Sequence, residues 1–164
     1  RPLAFEQPDD PQLWRVEHEY LLGPDLLVVG VLSGSADPVP TTVVLPPGDW
    51  VDFWTGHAHR GPGRLEIDVP LHRLPLFVRA GAVVPMGQPG QHTGEIDPDD
   101  WELHWWPGPA RTTTVLDGGA DFVYRTEPGG GEAGTIRAVE PVRRARRAVG
   151  HMPDGRQVDV PIAR

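Results

Sequence analysis

Carboxylates, imidazoles, guanidinium groups and indoles recur at short spacings along this chain of 164 residues, and each grouping suggests a chemistry. The acids come in three pairs: Asp9-Asp10, Glu17 with Glu19, and Asp99-Asp100. Two carboxyl groups flanking one bond can act as general acid and base. Neighbouring acids on a turn splay apart, however, and two of these pairs sit beside Pro8, Pro11 and Pro98, so they read as turn and cap residues. Glu17 and Glu19 share a face of an extended segment, which alone defines no reaction. His57 and His59 put two imidazoles on one side of an extended segment. Catalytic zinc takes three protein ligands, and no third stands nearby in sequence, which favours an exposed hairpin loop.

Three further groupings have similar alternatives. Asp117 and Asp121 flank Gly118-Gly119 without the alternating acids and closing Glu of a calcium loop, so the segment reads as a hairpin turn. The run Arg143-Arg144-Ala145-Arg146-Arg147 suggests a nucleic-acid patch, but no aromatic platform adjoins it. A charged edge strand is the simpler expectation. Trp101 and Trp105 fall on one face of a strand and Trp106 on the other, making Trp101 and Trp105 the candidate carbohydrate contacts. Indoles at this density more commonly fill cores or domain contacts.

Composition removes other classes. The formal net charge is −8, which disfavours nonspecific attraction to nucleic acid or anionic membrane. All 15 basic residues are Arg, so no Schiff-base or lysine-base chemistry is available on this chain. With no Cys there is no disulfide, thiolate nucleophile or Cys-ligated zinc. Nothing calls for a cofactor or metal. No apolar run approaches the length of a membrane span, and the expectation is a soluble protein, cytoplasmic in preference to secreted. The chain opens Arg1-Pro2-Leu3, as if cut from something longer. It is also too short for a complete (β/α)8 barrel, which takes roughly 250 residues.

The elements that must position these groups are strands. The 20 Gly and 20 Pro are spread between apolar runs and serve as turn residues of an ordered all-β chain. Pro8-Asp9-Asp10-Pro11 introduces a short helical piece over Gln12–Arg15. Asp25–Leu32 is nearly all apolar, hence buried on both faces. Thr41–Leu45 and Trp50–Trp54 flank Pro46-Pro47-Gly48-Asp49 as a hairpin. Leu65, Ile67 and Val69 alternate with Glu66 and Asp68, a half-buried strand. Beyond a polar stretch, further strands are expected at Trp101–Trp106, Arg111–Leu116, Asp121–Arg125, Gly134–Val139, Arg144–Val149 and Gln157–Val160.

Several of these segments, in this order, resemble one family. Glu19-Tyr20-Leu21-Leu22-Gly23-Pro24-Asp25-Leu26-Leu27-Val28 is similar to the strand leaving the barrel in family 31 glycoside hydrolases, the α-glucosidase and α-xylosidase group. Val29-Gly30-Val31 stands where the family has Ala-Pro-Val. Leu45-Pro46-Pro47-Gly48-Asp49-Trp50-Val51-Asp52-Phe53-Trp54-Thr55-Gly56 resembles the family's aromatic-rich hairpin. The segment from Pro75 to Pro85 resembles its closing strand pair, Arg1-Pro2-Leu3 its last barrel strand, and the segment from Leu116 to Tyr124 a hairpin of its distal sandwich.

The resemblance implies an antiparallel β-sandwich of the glycosyl hydrolase C-terminal type, followed by a second, smaller β-rich domain. The implied organisation is the end of the barrel and a connector over 1–19, the proximal sandwich over 20–86, a linker over 87–100 and part of the distal sandwich over 101–164. It implies a partner, the catalytic barrel of the parent enzyme, through which carbohydrate substrate would be met. It also implies a retaining mechanism on two barrel aspartates, neither motif being present here, so no residue of this chain is assigned a catalytic role. The alternatives are an autonomous carbohydrate-binding sandwich and a structural remnant.

Overall fold

The computed structural model describes residues 1–31, 38–95, 100–117, 120–127, 134–139 and 145–163. It is all-β, apart from short 3-10 turns at Leu3–Phe5, Leu13–Arg15 and Thr93–Glu95. The chain divides into two compact units, Arg1–Arg79 and Ala80–Arg164.

The first unit is one antiparallel sheet of five strands: β1 (Glu19–Leu22), β2 (Leu26–Val29), β3 (Val39–Asp52), β4 (Ala58–Val69) and β5 (Leu76–Arg79), in the order β1-β2-β5-β3-β4. As expected, β2 is buried on both faces at Leu27, Val28 and Val29. Leu65 and Ile67 of β4 lean on the core while Glu66 and Asp68 face out.

The expected hairpin around Pro46-Pro47 is not a turn. Both flanking segments belong to the single long strand β3, paired with β4 from Val39↔Val69 to Val51↔Ala58. The register shifts between Leu45 and Gly48, so the two prolines occupy a bulge and their missing N–H groups leave no gap in the ladder. The reversal comes later, after Asp52, where the Asp52 carboxylate accepts the backbone N–H of Trp54 and of Thr55, both at 2.8 Å.

That bulge bends the sheet. β1 and β3 are separated in the hydrogen-bonded order by two strands, yet Val43 and Leu45 share a core with Leu21, Leu27 and Val29. The leading half of β3 therefore folds over β1 and β2, and the sheet closes on itself in two layers. Leu3 and Leu13, from the two N-terminal 3-10 turns, fill the same core with Trp50 and Phe77.

The second unit is a two-sheet sandwich. One sheet has the order β12-β11-β7-β6, from β6 (Val83–Gly87), β7 (Trp101–Trp105), β11 (Arg147–His151) and β12 (Gln157–Asp159). The other is β13-β10-β9-β8, from β8 (Arg111–Asp117), β9 (Ala120–Glu127), β10 (Thr135–Val139) and β13 (Ile162–Ala163). Val83, Leu103, Trp105 and Ala148 from the first meet Tyr124, Ile136 and Ala138 from the second.

Three features depart from the sequence reading. The expected closing pair is parted: β5 bonds to β2 and β3, whereas β6 bonds to β7 across the polar stretch, so the units divide after Arg79. Among the described residues two pairings are parallel, β11 with β7 and β10 with the unforeseen β13. Of the basic run, Arg147 opens β11, which lies between β12 and β7 and so is not an edge strand, while Arg143 and Arg144 fall outside the described residues.

The bulge makes a sharp prediction. A Cβ on Gly61 would sit 2.0 Å from the Pro46 carbonyl oxygen, whereas one on Gly63 would meet nothing closer than 3.6 Å. Gly61→Ala should lower stability to urea by about 2 kcal/mol or more, and Gly63→Ala by well under half of that. Equal effects would place the crowding elsewhere.

Candidate functional site

The N-terminal segment of the first unit is tied into the sheet at several points. The Arg1 backbone nitrogen donates to the Leu21 carbonyl at 2.6 Å, Leu21 N–H returns a bond to Arg1 O at 2.8 Å, and Pro2 forms a β-bridge with Tyr20. Glu6 is ion-paired with Arg1 and with Arg79, the latter at 2.6 Å. Arg79 also donates from Nε to Pro24 O at 3.0 Å and from Nη1 to Pro47 O at 2.8 Å, with its guanidinium 4.2 Å from the centre of the Trp50 ring. One side chain thus joins the entering segment, the turn before β2, the bulge in β3 and the core.

Next to this segment Glu19 is sealed, its side chain wholly without solvent exposure. Burial pushes its carboxyl up to about 7, opposed by the Val44 N–H, the imidazole of His18 and the guanidinium of Arg64. Both oxygens accept from Val44 N, at 2.9 and 3.1 Å, which stitches β1 to the folded-over half of β3. A cleft of about 660 Å³ opens nearby, lined by Arg15, His18, Thr42 and Arg64. Glu17, by contrast, is exposed, so the pair shares no common site.

In the second unit the outer face of β7 carries Glu102, His104 and, just past its end, Trp106. Parallel pairing with β11 brings His151 alongside, with His104 Nδ1 and His151 Nε2 at 2.8 Å and His151 stacked on Trp106 at 4.4 Å. Burial lowers both imidazoles, His151 to about 4 with the charge of His104 adding to the effect, while Glu102 opposes the shift at His104. Hydrogen bonds from Arg147 and Arg146 hold the Glu102 carboxyl down at about 2. This chain of groups ends on an indole face and has no hydroxyl nucleophile in it, so as it stands it is a packing and charge-balancing arrangement. The spacing of 47 residues between the imidazoles hides it from any local motif.

The other sequence candidates are placed as follows. Asp10 caps the turn at Gln12 N, at 2.9 Å, as a turn acid should. Asp99 lies outside the described residues, and Asp100 is 3.4 Å from Arg146. His57 is exposed, while His59 is half-buried with its ring edge-on to Phe77 at 5.8 Å. Among the described residues no three His, Asp or Glu side chains converge as metal ligands. The pairing of β8 with β9 runs to Asp117↔Ala120, with Asp121 opposite Leu116; Gly118 and Gly119 lie outside the described residues. Arg143 and Arg144 do as well, and Arg146 and Arg147 engage Glu102. Trp101 is half-buried, and Trp105, 4% exposed, points into the core with Leu103, so it offers no open ring face to a sugar.

The family model for the glycosyl hydrolase family 31 C-terminal domain matches residues 1–84. The chain belongs to glycosyl hydrolase family 31. It is 43% identical over 81 residues to a 1,3-alpha-isomaltosidase of Kribbella flavida, covering 49% of this chain and 11% of that protein. It is 31% identical over 127 residues to alpha-glucosidase 2 of Bacillus thermoamyloliquefaciens, covering 76% and 16%. Among solved structures, the Flavobacterium johnsoniae family 31 dextranase aligns with a TM-score of 0.62 at 25% identity, over 77% of this chain and 17% of that one. The Xanthomonas citri family 31 alpha-xylosidase shares the fold over 98% of this chain and 21% of its own, with a TM-score of 0.67 at 22% identity. The chain therefore spans a small part of the length of the family 31 proteins it matches.

Glu19 gives a pH signature with a definite sign. Its carboxyl titrates near 4.5 when unfolded and near 7 when folded, so its contribution is fully present below about 4.5 and is lost as pH rises through 7. Glu19→Gln keeps an acceptor for Val44 N–H and carries no charge. Between pH 5 and pH 8 the variant should gain on the wild type by on the order of 2 kcal/mol in urea unfolding. A gap that does not change with pH would mean that the carboxyl titrates normally.

Proposed function

We propose that this chain is the C-terminal, non-catalytic part of a retaining α-glycosidase acting on α-glucosides or α-xylosides, with the task of supporting the catalytic barrel. The observation that carries this reading is the anchoring of Arg1–Glu6. This segment, which resembles the end of the last barrel strand, has Leu3 in the core, two backbone bonds to β1 and the Glu6–Arg79 ion pair. A barrel strand continuing into such an anchor is held in register where it ends. Positional errors of about 1 Å can cost on the order of a hundredfold in rate, so a support module affects turnover without touching substrate. The isomaltosidase, glucosidase and xylosidase names of the relatives favour α-linked sugars as the substrate class of the whole enzyme.

Two observations test the proposal. The isolated chain should show no turnover of aryl α-glucosides or α-xylosides above buffer, and turnover that co-purifies with it would refute the claim that catalysis lies elsewhere. The coding sequence upstream of Arg1 should encode a barrel bearing two reactive aspartates. An unrelated upstream domain would remove the proposed partner.

A further inference from the structure

We infer that the hollow beside Trp54 in the first unit is a binding site for a neutral, hydroxyl-rich sugar ring. The hollow has a volume of about 270 Å³ and is walled by Asp52, Trp54, His57, His59 and Arg73 over an apolar floor that includes Ile67 and Val69. That is just below the roughly 300 Å³ at which small-molecule sites begin, enough for one sugar ring and too little for a dinucleotide.

Its aromatic wall is built in advance. Trp54 is 47% exposed, yet its Nε1 donates to Leu74 O at 2.8 Å and Phe53 packs edge-on at 5.0 Å. A ring already fixed loses little rotamer freedom when something stacks on it. The Asp52 carboxylate is held in the same way: Oδ1 accepts two backbone N–H groups, which leaves Oδ2 without a protein hydrogen bond among the described residues. Arg73 stands 5.9 Å from the Trp54 ring centre.

The mixture of groups selects the ligand. An anion would face the Asp52 carboxylate, and a bare cation would face the Arg73 guanidinium. A hydroxyl donates and accepts at once, so adjacent hydroxyls can donate a hydrogen bond to Asp52 Oδ2 while accepting one from Arg73. The apolar face of the ring then lies on the indole. The choice of a glucose-type sugar rests on the function proposed above, whereas the pocket chemistry does not.

The test uses the chain as it is, titrated with isomaltotriose and followed by NMR of the indole N–H signals. Saturable binding with a Kd of about 1 mM is expected. Trp54→Ala and Asp52→Asn should each weaken it about tenfold or more, and Asp52→Asn, which keeps the Oδ1 acceptor for the Trp54 and Thr55 N–H groups, should leave the melting temperature nearly unaltered. No saturation by about 50 mM, equal response to tetraethylene glycol, or affinity unchanged in both variants would overturn the assignment. Such a failure leaves the support role standing, since that role is tested by turnover and by the upstream coding sequence.

Discussion

The first unit depends on what one guanidinium reaches. Arg79 is only 11% exposed at its side chain, and its donors are committed to Glu6, Pro24 O and Pro47 O while its face lies on Trp50. A planar fork can satisfy three directions at once and still stack; a lysine ammonium cannot. The bulge in β3 is arranged to receive it. Gly48 has φ near +121°, and a Cβ there would stand 2.9 Å from Arg79 Nη1, so the glycine supplies both the backbone conformation and the room. The Pro46 and Pro47 carbonyls, left free by the irregular register, accept Trp50 Nε1 and Arg79. A buried ion pair of this kind is strongly destabilising to break even when it adds little net stability over an apolar substitute.

The two units solve the problem of buried charge differently. In the first, Glu19 is sealed among backbone and held as a carboxyl that ionises only near 7. In the second, Glu102 is kept ionised by Arg146 and Arg147, and the imidazoles beside it stay neutral because they are stacked and buried. Acidification from neutrality therefore relieves one unit and loads the other. Their pH responses have opposite signs, a consequence of which charge each sheet face encloses.

Much of this was legible in the sequence where periodicity and burial agree. The alternation of Leu65, Ile67 and Val69, the apolar run into β2, and the common face of Trp101 and Trp105 all follow from side-chain period two. The family assignment followed from the order of motifs between Glu19 and Pro85. What stayed hidden was non-local. Two adjacent prolines signal a turn, and only the opposing strand reveals a bulge within one long strand. The partners of β6, β11 and β13 are set by sandwich closure, which no local pattern encodes. The hollow at Trp54 was missed because its walls come from the hairpin turn, the far end of β4 and the segment before β5.

The most direct measurement of the central claim is hydrogen exchange at the amides of Phe5, Glu6 and Leu21, compared between the native chain and Arg79→Lys. These N–H groups bond to Pro2 O, Leu3 O and Arg1 O, so they report on the anchored segment. If Arg79 holds that segment, the lysine variant should remain folded while the three amides lose protection by on the order of 2 kcal/mol, about thirtyfold in rate. Protection unchanged in the variant would show that Leu3 and the backbone bonds anchor the segment without Arg79.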